Sequence, residues 1–285
     1  MQLSVLMPVY SKESPAHLRQ CLESLAAQTL PADEVVLVED GPLGRSLHAT
    51  IADYREVLPI VSLPLPTHGG LGVALRAGLL ICRGDYVARM DADDICVPDR
   101  FQRQVDFLDC NPQVDVVGSA IEEFSESRKA ARSIRCLPVS GRALMRFAQS
   151  RNPLNHMTVM FRRASVLAAG SYQHFPGFED YHLWSRMLSL GHRLHNLEVI
   201  LVQVRCGNAM QSRRGGLAYL KREVAFQLFL HEVGLVAAPG CIRNILLRTP
   251  IRLVPARFRQ AVYQRFLRDR LTPGHAAGKS QRPGS

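Results

Sequence analysis

Tyr86-Val87-Ala88-Arg89-Met90-Asp91-Ala92-Asp93-Asp94 is the stretch that decides the fold of this chain. A short apolar run ends in three carboxylates within four residues. A run of that length reads as a buried strand, which puts Asp91, Ala92 and Asp93 just past its carboxyl end. Open α/β sheets bind ligands at that edge. Crowded carboxylates repel one another unless a cation sits among them. Hard divalent ions such as Mg2+ and Mn2+ take oxygen ligands and often hold substrate phosphates as well. The segment therefore points to a metal–diphosphate site. The plainer reading is a solvated turn leading into an acidic helix start, where Asp is common.

Outward from this strand the chain alternates. Leu3 to Pro8 reads as a first buried strand, and Ser14-Pro15 opens a helix with Ser as cap and Pro in the first turn. Leu18, Cys21, Leu22 and Leu25 give that helix one apolar face. Glu34 to Glu39 is a second strand, ending in Asp40-Gly41-Pro42. A helix around Leu47 to Glu56, a third strand near Ile60 to Leu65 and a helix from Gly70 to Cys82 lead back to Tyr86–Met90 as the fourth strand. Such alternation implies a mostly parallel sheet with helices on both faces. Further on, Pro98 to Cys110 reads as a helix, Val114 to Ala120 and Met157 to Phe161 as strands, Glu179 to Leu190 as a helix closed by Gly191, and Leu194 to Val204 as one or two strands.

Parallel strands bring their carboxyl ends onto one edge, so four segments can line one cleft. These are Met7-Pro8-Val9-Tyr10-Ser11, Glu39-Asp40-Gly41, His68-Gly69-Gly70-Leu71-Gly72 with Arg76 one turn on, and Asp91-Ala92-Asp93. Asp40 can accept hydrogen bonds from a base or ribose, and glycines let backbone approach a ligand closely. Taken singly, Asp40 is a turn residue and Arg76 an exposed helix charge; the ordered set is the signal. The Gly-rich dinucleotide fingerprint and the Walker A sequence are both absent, which argues against a dehydrogenase or an ATPase.

The 285 residues, 47% apolar and 21% charged, suit a globular core. Met1 to Tyr10 lacks the basic start and small-residue cleavage site of a signal peptide, and no apolar stretch is as long as a membrane span. Seven scattered cysteines without a Cys-x-x-Cys pair suggest reduced thiols and a cytoplasmic setting. The net charge of +10 suggests an anionic partner. Much of it lies late: between Arg243 and Arg270 there are eight arginines and one acid, interleaved with apolar residues. Pro250 and Pro255 are expected to break this region into short helices. Basic amphipathic pieces of this kind suit an anionic membrane surface; the plainer reading is a helical lid with a solvated basic face. No nucleic-acid recognition module is evident, so nucleic acid is not expected as a partner.

With these residues in view, the chain from about Leu3 to about Arg205 resembles the bacterial glycosyltransferases of family 2. The likeness is nearest to the subgroup that builds exopolysaccharide, capsule or O-antigen units, including the amylovoran type. It rests on Ser4 to Tyr10, Glu34 to Gly41, the glycines and Arg76, Gly84 to Asp94, and Phe178-Glu179-Asp180-Tyr181-His182-Leu183-Trp184. The resemblance implies a GT-A fold, that is, a mostly parallel α/β sheet flanked by helices, here with a basic C-terminal helical segment. Together with the change in composition past about Cys206, this divides the chain into an expected domain at 1–208, a basic amphipathic extension at 209–271 expected at the membrane surface, and a tail at 272–285 expected to be disordered. The activity implied is inverting transfer of one sugar from a nucleoside-diphosphate sugar, with UDP favoured, to a hydroxyl of a lipid-linked saccharide. The place implied is the cytoplasmic face of the inner membrane.

Carried over residue by residue, the resemblance gives Pro8, Tyr10 and Asp40 to the nucleoside, with Arg76 nearby. Asp91 goes to the ribose or the water shell of the metal, Asp93 to a divalent Mn2+ or Mg2+, and Asp180 to the general base. Glu179-Asp180 also starts a helix, where acids favour the positive dipole end whatever their function. His68 stands where the family often has Asn. Gln211-Ser212-Arg213-Arg214-Gly215 is similar to the Gln-x-x-Arg-Trp element of processive synthases but lacks the Trp, so a single addition is expected. His156 and His182 are read as ordinary polar residues and Trp184 as packing. Two other classes stay in view: a nucleotidyltransferase making nucleotide sugars, for which Pro8-Val9-Tyr10-Ser11 supplies no Gly-rich basic loop, and a basic nucleic-acid binder.

Overall fold

The structure is a computed structural model of the chain, and it describes residues 2–124, 133–206 and 216–253. Four strands, β1 (Leu3–Tyr10), β2 (Glu34–Asp40), β3 (Ile60–Pro64) and β4 (Tyr86–Arg89), are linked by helices α1 (Pro15–Ala26), α2 (Arg45–Asp53) and α3 (Leu71–Ile81). They pair in parallel in the order β3-β2-β1-β4, as the alternation required. After the acidic segment come β5 (Ile95–Cys96), α4 (Arg100–Cys110), β6 (Val116–Phe124), β7 (Ser133–Arg135) and α5 (Gly141–Ala148). A single 3-10 turn at His156–Thr158 leads into β8 (Met160–Arg162), α6 (Arg163–Ala168), α7 (Glu179–Ser189) and β9 (Leu194–Arg205). The sheet continues past β4 as β8-β6-β9-β5, with β7 on the flank of β6. β8, β7 and β5 run against the rest, so the sheet is mixed, with the parallel half carrying the strand ends of interest.

Alternation along each strand divides the core. Val5 and Met7 of β1 face α1, α2 and α4, packing with Leu18, Leu22, Leu47, Phe101 and Leu108. Leu6 faces the other way, with Val36 and Val38 of β2 and Leu75 and Leu79 of α3. Gly78 makes this second layer fit. A Cβ there would come within 2.4 Å of Leu6 and 2.5 Å of Val38, so α3 lies directly on the sheet. Trp184 of α7 is fully buried in the same layer, as expected for packing.

Several element boundaries differ from the sequence reading, each for a local reason. Asn155 accepts from both the amide and the hydroxyl of Thr158, coiling His156–Thr158 so that β8 begins only at Met160. Leu194–Arg205 is one strand, with its register shifting opposite Ser119–Ala120. Ser14 occupies the cap position of α1, but its side chain makes no cap hydrogen bond.

The C-terminal part folds as α8 (Leu217–Glu232) and α9 (Ala238–Leu253). Phe226 and Leu230 of α8 are fully buried and share the layer of Phe178, Tyr181 and Trp184. α9 continues through Pro250, where a break was expected. Gln211 to Gly215, Pro255 with the later arginines, and the tail 272–285 lie outside the described residues.

Candidate functional site

The register of the parallel strands puts Tyr10 opposite Asp40, and Asp91 follows β4 on the neighbouring strand of β1. The expected edge therefore exists, with Pro8 and Tyr10 half-buried along it. Asp40 is buried, and its carboxylate organises the next loop. It accepts from the amides of Gly69 at 2.7 Å and Gly70 at 3.0 Å, and lies 2.8 Å from His68 Nδ1. The exposed His68 ring stacks on Tyr10. One lone-pair site on Asp40 Oδ1 stays open after these bonds. Arg76 is exposed on α3, and among the described residues no hydrogen bond or ion pair ties it to the others.

The acidic segment is compact: Asp91, Asp93 and Asp94 bring their oxygens within 4.8 Å of one another. Asp94 is buried and accepts from the Arg205 amide at 3.0 Å, while its other oxygen has no hydrogen-bond partner. Burial, then the neighbouring Asp91 and Asp93, pushes the Asp94 carboxyl up. Asp93 is half-buried and raised for the same two kinds of reason, burial first and then Asp91. Three acids this close repel one another as bare anions, and their oxygens could hold an oxygen-seeking divalent ion.

Arg89, which the sequence reading passed over, supplies part of that relief. Its side chain is fully buried, and its two terminal nitrogens fork onto the two oxygens of Asp91. Its backbone carbonyl accepts from Arg100, a second fully buried arginine. A charged side chain ending a buried strand, two residues before a carboxylate, was the available signal.

Asp180 sits at the first turn of α7 and brings the far half of the chain to the same edge. Gly72 permits the approach: a Cβ there would come within 2.9 Å of Glu179 and 3.0 Å of the Gln173 carbonyl. Asp180 Oδ1 accepts from the Tyr181 amide at 2.7 Å, and Oδ2 accepts from Asn152 Nδ2 at 2.5 Å. His156 Nδ1 lies 3.9 Å from Oδ2, and its Nε2 meets the Tyr172 hydroxyl at 3.1 Å. Burial pushes the Asp180 carboxyl up, while the Tyr181 amide, Asn152 and the charge of Arg89 pull it back. Burial, then Arg89, holds His156 well below the usual histidine range, so it is neutral. Tyr172 feels both Asp180 and Asp91, so the metal-type carboxylates and the candidate base share one electrostatic environment around Arg89. Asn152 and His156 were not read as site residues; both come from the irregular loop before β8, where spacing gives no guide. His182 stacks between Phe175 and Phe229, away from this cluster, with burial lowering it to about 4.

A mixed sheet with acids at its parallel strand ends and a carboxylate on a facing helix defines a GT-A-type nucleotide-sugar transferase. The chain belongs to glycosyl transferase family 2, whose model matches residues 4–170. It is 46% identical to the amylovoran biosynthesis glycosyltransferase AmsE of Erwinia amylovora, over 92% of this chain and 98% of that one. It is 33% identical to the UDP-Gal:alpha-D-GlcNAc-diphosphoundecaprenol beta-1,3-galactosyltransferase of Escherichia coli, over 94% and 97%. Its fold matches the crystal structure of S. aureus TarS in complex with UDP-GlcNAc at a TM-score of 0.68, with 19% identity, covering 94% of this chain and 76% of that one. The chain is therefore a glycosyltransferase, homologous to those of exopolysaccharide and O-antigen assembly, and the nucleotidyltransferase and nucleic-acid readings fall away.

Proposed function

We propose that this enzyme moves one sugar, with inversion, from a UDP-sugar to a hydroxyl of a lipid-diphosphate-linked saccharide at the inner face of the bacterial inner membrane. The observation that carries the reading is the joint placement of Asp91, Asp93 and Asp180 around buried Arg89. The Escherichia coli relative, named for a UDP-sugar donor, a lipid-diphosphate acceptor and a β-linkage, supports the choice of substrates.

The residues fit a divalent ion. Asp93 is partly open and among the described residues no arginine forks onto it, while among the same residues Asp91 keeps one lone pair on each oxygen beyond its fork with Arg89. Asp93, with Asp91 directly or through water, would hold Mn2+ or Mg2+. When bound, the metal offsets the charge that develops on the departing diphosphate. Pro8, Tyr10 and Asp40 line the nucleoside end, where Tyr10 and His68 offer a stacked aromatic surface and Asp40 its remaining lone pair. Arg76 stands nearby on α3 for the phosphates. Asp180 takes the proton from the acceptor hydroxyl as that oxygen attacks the anomeric carbon from the face opposite the nucleotide. The new C–O bond forms as the bond to the diphosphate breaks, and the diphosphate leaves with the electron pair. The raised Asp180 carboxyl makes it a better base than an exposed aspartate.

At the membrane, α9 turns Ile242, Leu246 and Leu247 outward beside Arg243. Apolar residues with cations and no acid on that helix suit an anionic bilayer. No helix among the described residues is long and apolar enough to cross one. We place the boundary between the catalytic domain and this extension near residue 209.

A thermal-shift panel with UDP, dTDP, GDP and CMP, each with and without Mn2+, tests the donor site. UDP at about a hundred times its dissociation constant stabilises by about 2.7 kcal/mol, or several degrees. We expect a shift with UDP that requires Mn2+ and disappears in Asp93→Asn. A Mn2+-independent shift that survives in Asp93→Asn would remove Asp93 from the metal site.

A further inference from the structure

Asp180 is linked to the last described helix through a route that neither the fold nor the resemblance requires. We infer that Asn152 is a positioning residue for Asp180, and that α9 holds Asn152 in place by capping the end of α5. This rests on the reading of Asp180 as the base.

The argument begins with Asn152. An ionised carboxylate only accepts, so the side-chain NH2 of Asn152 must face Asp180 Oδ2, at 2.5 Å. The amide orientation is set from its other side too, because Asn152 Oδ1 accepts from the Leu154 amide at 3.2 Å. With the Tyr181 amide on Oδ1, each Asp180 oxygen carries one fixed donor. The two donors together fix the orientation of the carboxylate, and one lone pair on each oxygen is left for other partners. A base works only within hydrogen-bond reach of the proton it removes, so this orientation sets whether the acceptor hydroxyl is met.

Asn152 lies four residues past the end of α5, whose final carbonyls need partners outside the helix. Three successive ones receive side chains from distant elements. The Tyr181 hydroxyl donates to the Ala148 carbonyl at 2.5 Å, Asn244 Nδ2 donates to Gln149 at 2.8 Å, and Arg248 donates to Ser150. Asn244 and Arg248 are one turn apart on α9, and both are braced by α8: Asn244 by Gln227 at 3.1 Å, Arg248 by buried Glu223 at 2.5 Å. The C-terminal hairpin thus grips the two residues immediately before Arg151-Asn152.

The test uses the full-length chain and two readouts. The first is titration of the Asp180 side-chain carboxyl by 13C NMR, assigned with Asp180→Asn. The second is turnover of UDP-galactose with an alkyl-diphosphate-linked GlcNAc acceptor. Groups facing Asp180 are Arg89 from β4, His156 from the 3-10 turn, Tyr172 from the loop before α7, and Glu179 on its own helix; all stay in place in the variants. In Asn152→Ala we expect the Asp180 midpoint to rise by about one pH unit, since a donor to the charged form is lost. We expect kcat to fall about tenfold or more with donor KM unchanged. Asn244→Leu, which keeps the size but not the donor, should show the same pattern more weakly at a melting temperature near that of wild type. An unchanged midpoint in a folded Asn152→Ala protein overturns the inference. So does a kcat loss shared equally by donor KM and melting temperature. Near-normal turnover by Asp180→Asn would instead remove Asp180 as the base, and the inference with it.

Discussion

The residues that decide this site are charged side chains inside a protein. Arg89 is the clearest. A buried guanidinium is costly unless its charge and its donors are matched, and here Asp91 matches it with both oxygens. That leaves Asp93 as the less committed carboxylate, which is why the proposed metal is given to it. Asp180 has the opposite balance, since burial outweighs its two donors and the charge of Arg89 and leaves its carboxyl raised. The sign for activity follows. As pH falls through that raised midpoint Asp180 takes a proton and could no longer serve in the proposed role of base. The acid limb of kcat should therefore lie above the range of an ordinary aspartate. Asp180→Asn, which cannot take the proton, should lose about 10²–10⁴-fold in kcat while binding UDP as wild type does, measured by single-turnover transfer beside a binding titration.

At the scale of elements, the parallel half was readable because each part carried its own signal. Apolar runs marked β1, β2 and β4, the Leu18–Leu25 stripe marked α1, and punctuation by Gly, Pro and Asp marked the ends. The four strand-end segments fell on one edge for the same reason. What could not be read lies where long-range contacts set local shape. The turn at His156–Thr158 is tied to β6, where Asn155 donates to the Ser119 carbonyl and the Thr158 hydroxyl accepts from the Ser119 amide, and the loop bearing Asn152 is held by helices that follow far later in the chain. Gly78 shows how tightly the helices sit on the sheet. Gly78→Ala must displace Leu6 or Val38, and overpacking of this kind costs about 1–3 kcal/mol. Urea unfolding should show a lower midpoint at unchanged slope.

At the scale of the molecule, the donor edge and the C-terminal helices are joined by one core layer. Phe178 and Tyr181 next to Asp180 pack on Phe226 of α8. On the proposed function, a surface that rests on a bilayer through α9 would therefore be tied to Asp180, which would suit an acceptor anchored by its lipid. Leu246→Asp, on the outward face of α9, should leave melting temperature within about a degree, since surface substitutions cost little. It should weaken co-sedimentation with vesicles containing anionic lipid several-fold, and binding by the wild type should fall as salt rises. Equal vesicle binding by the two proteins would move the contact elsewhere.

The central claim is inverting transfer of a single sugar at the Asp93–Asp180 site. Its most direct test is the product formed by the wild-type enzyme from UDP-galactose and an alkyl-diphosphate-linked GlcNAc in the presence of Mn2+, analysed by mass and by the anomeric coupling in the proton NMR spectrum. The account predicts one added hexose with a β-anomeric linkage, absent when Mn2+ is chelated and absent in Asp180→Asn. A ladder of lengths, or an α-linked product, would contradict it.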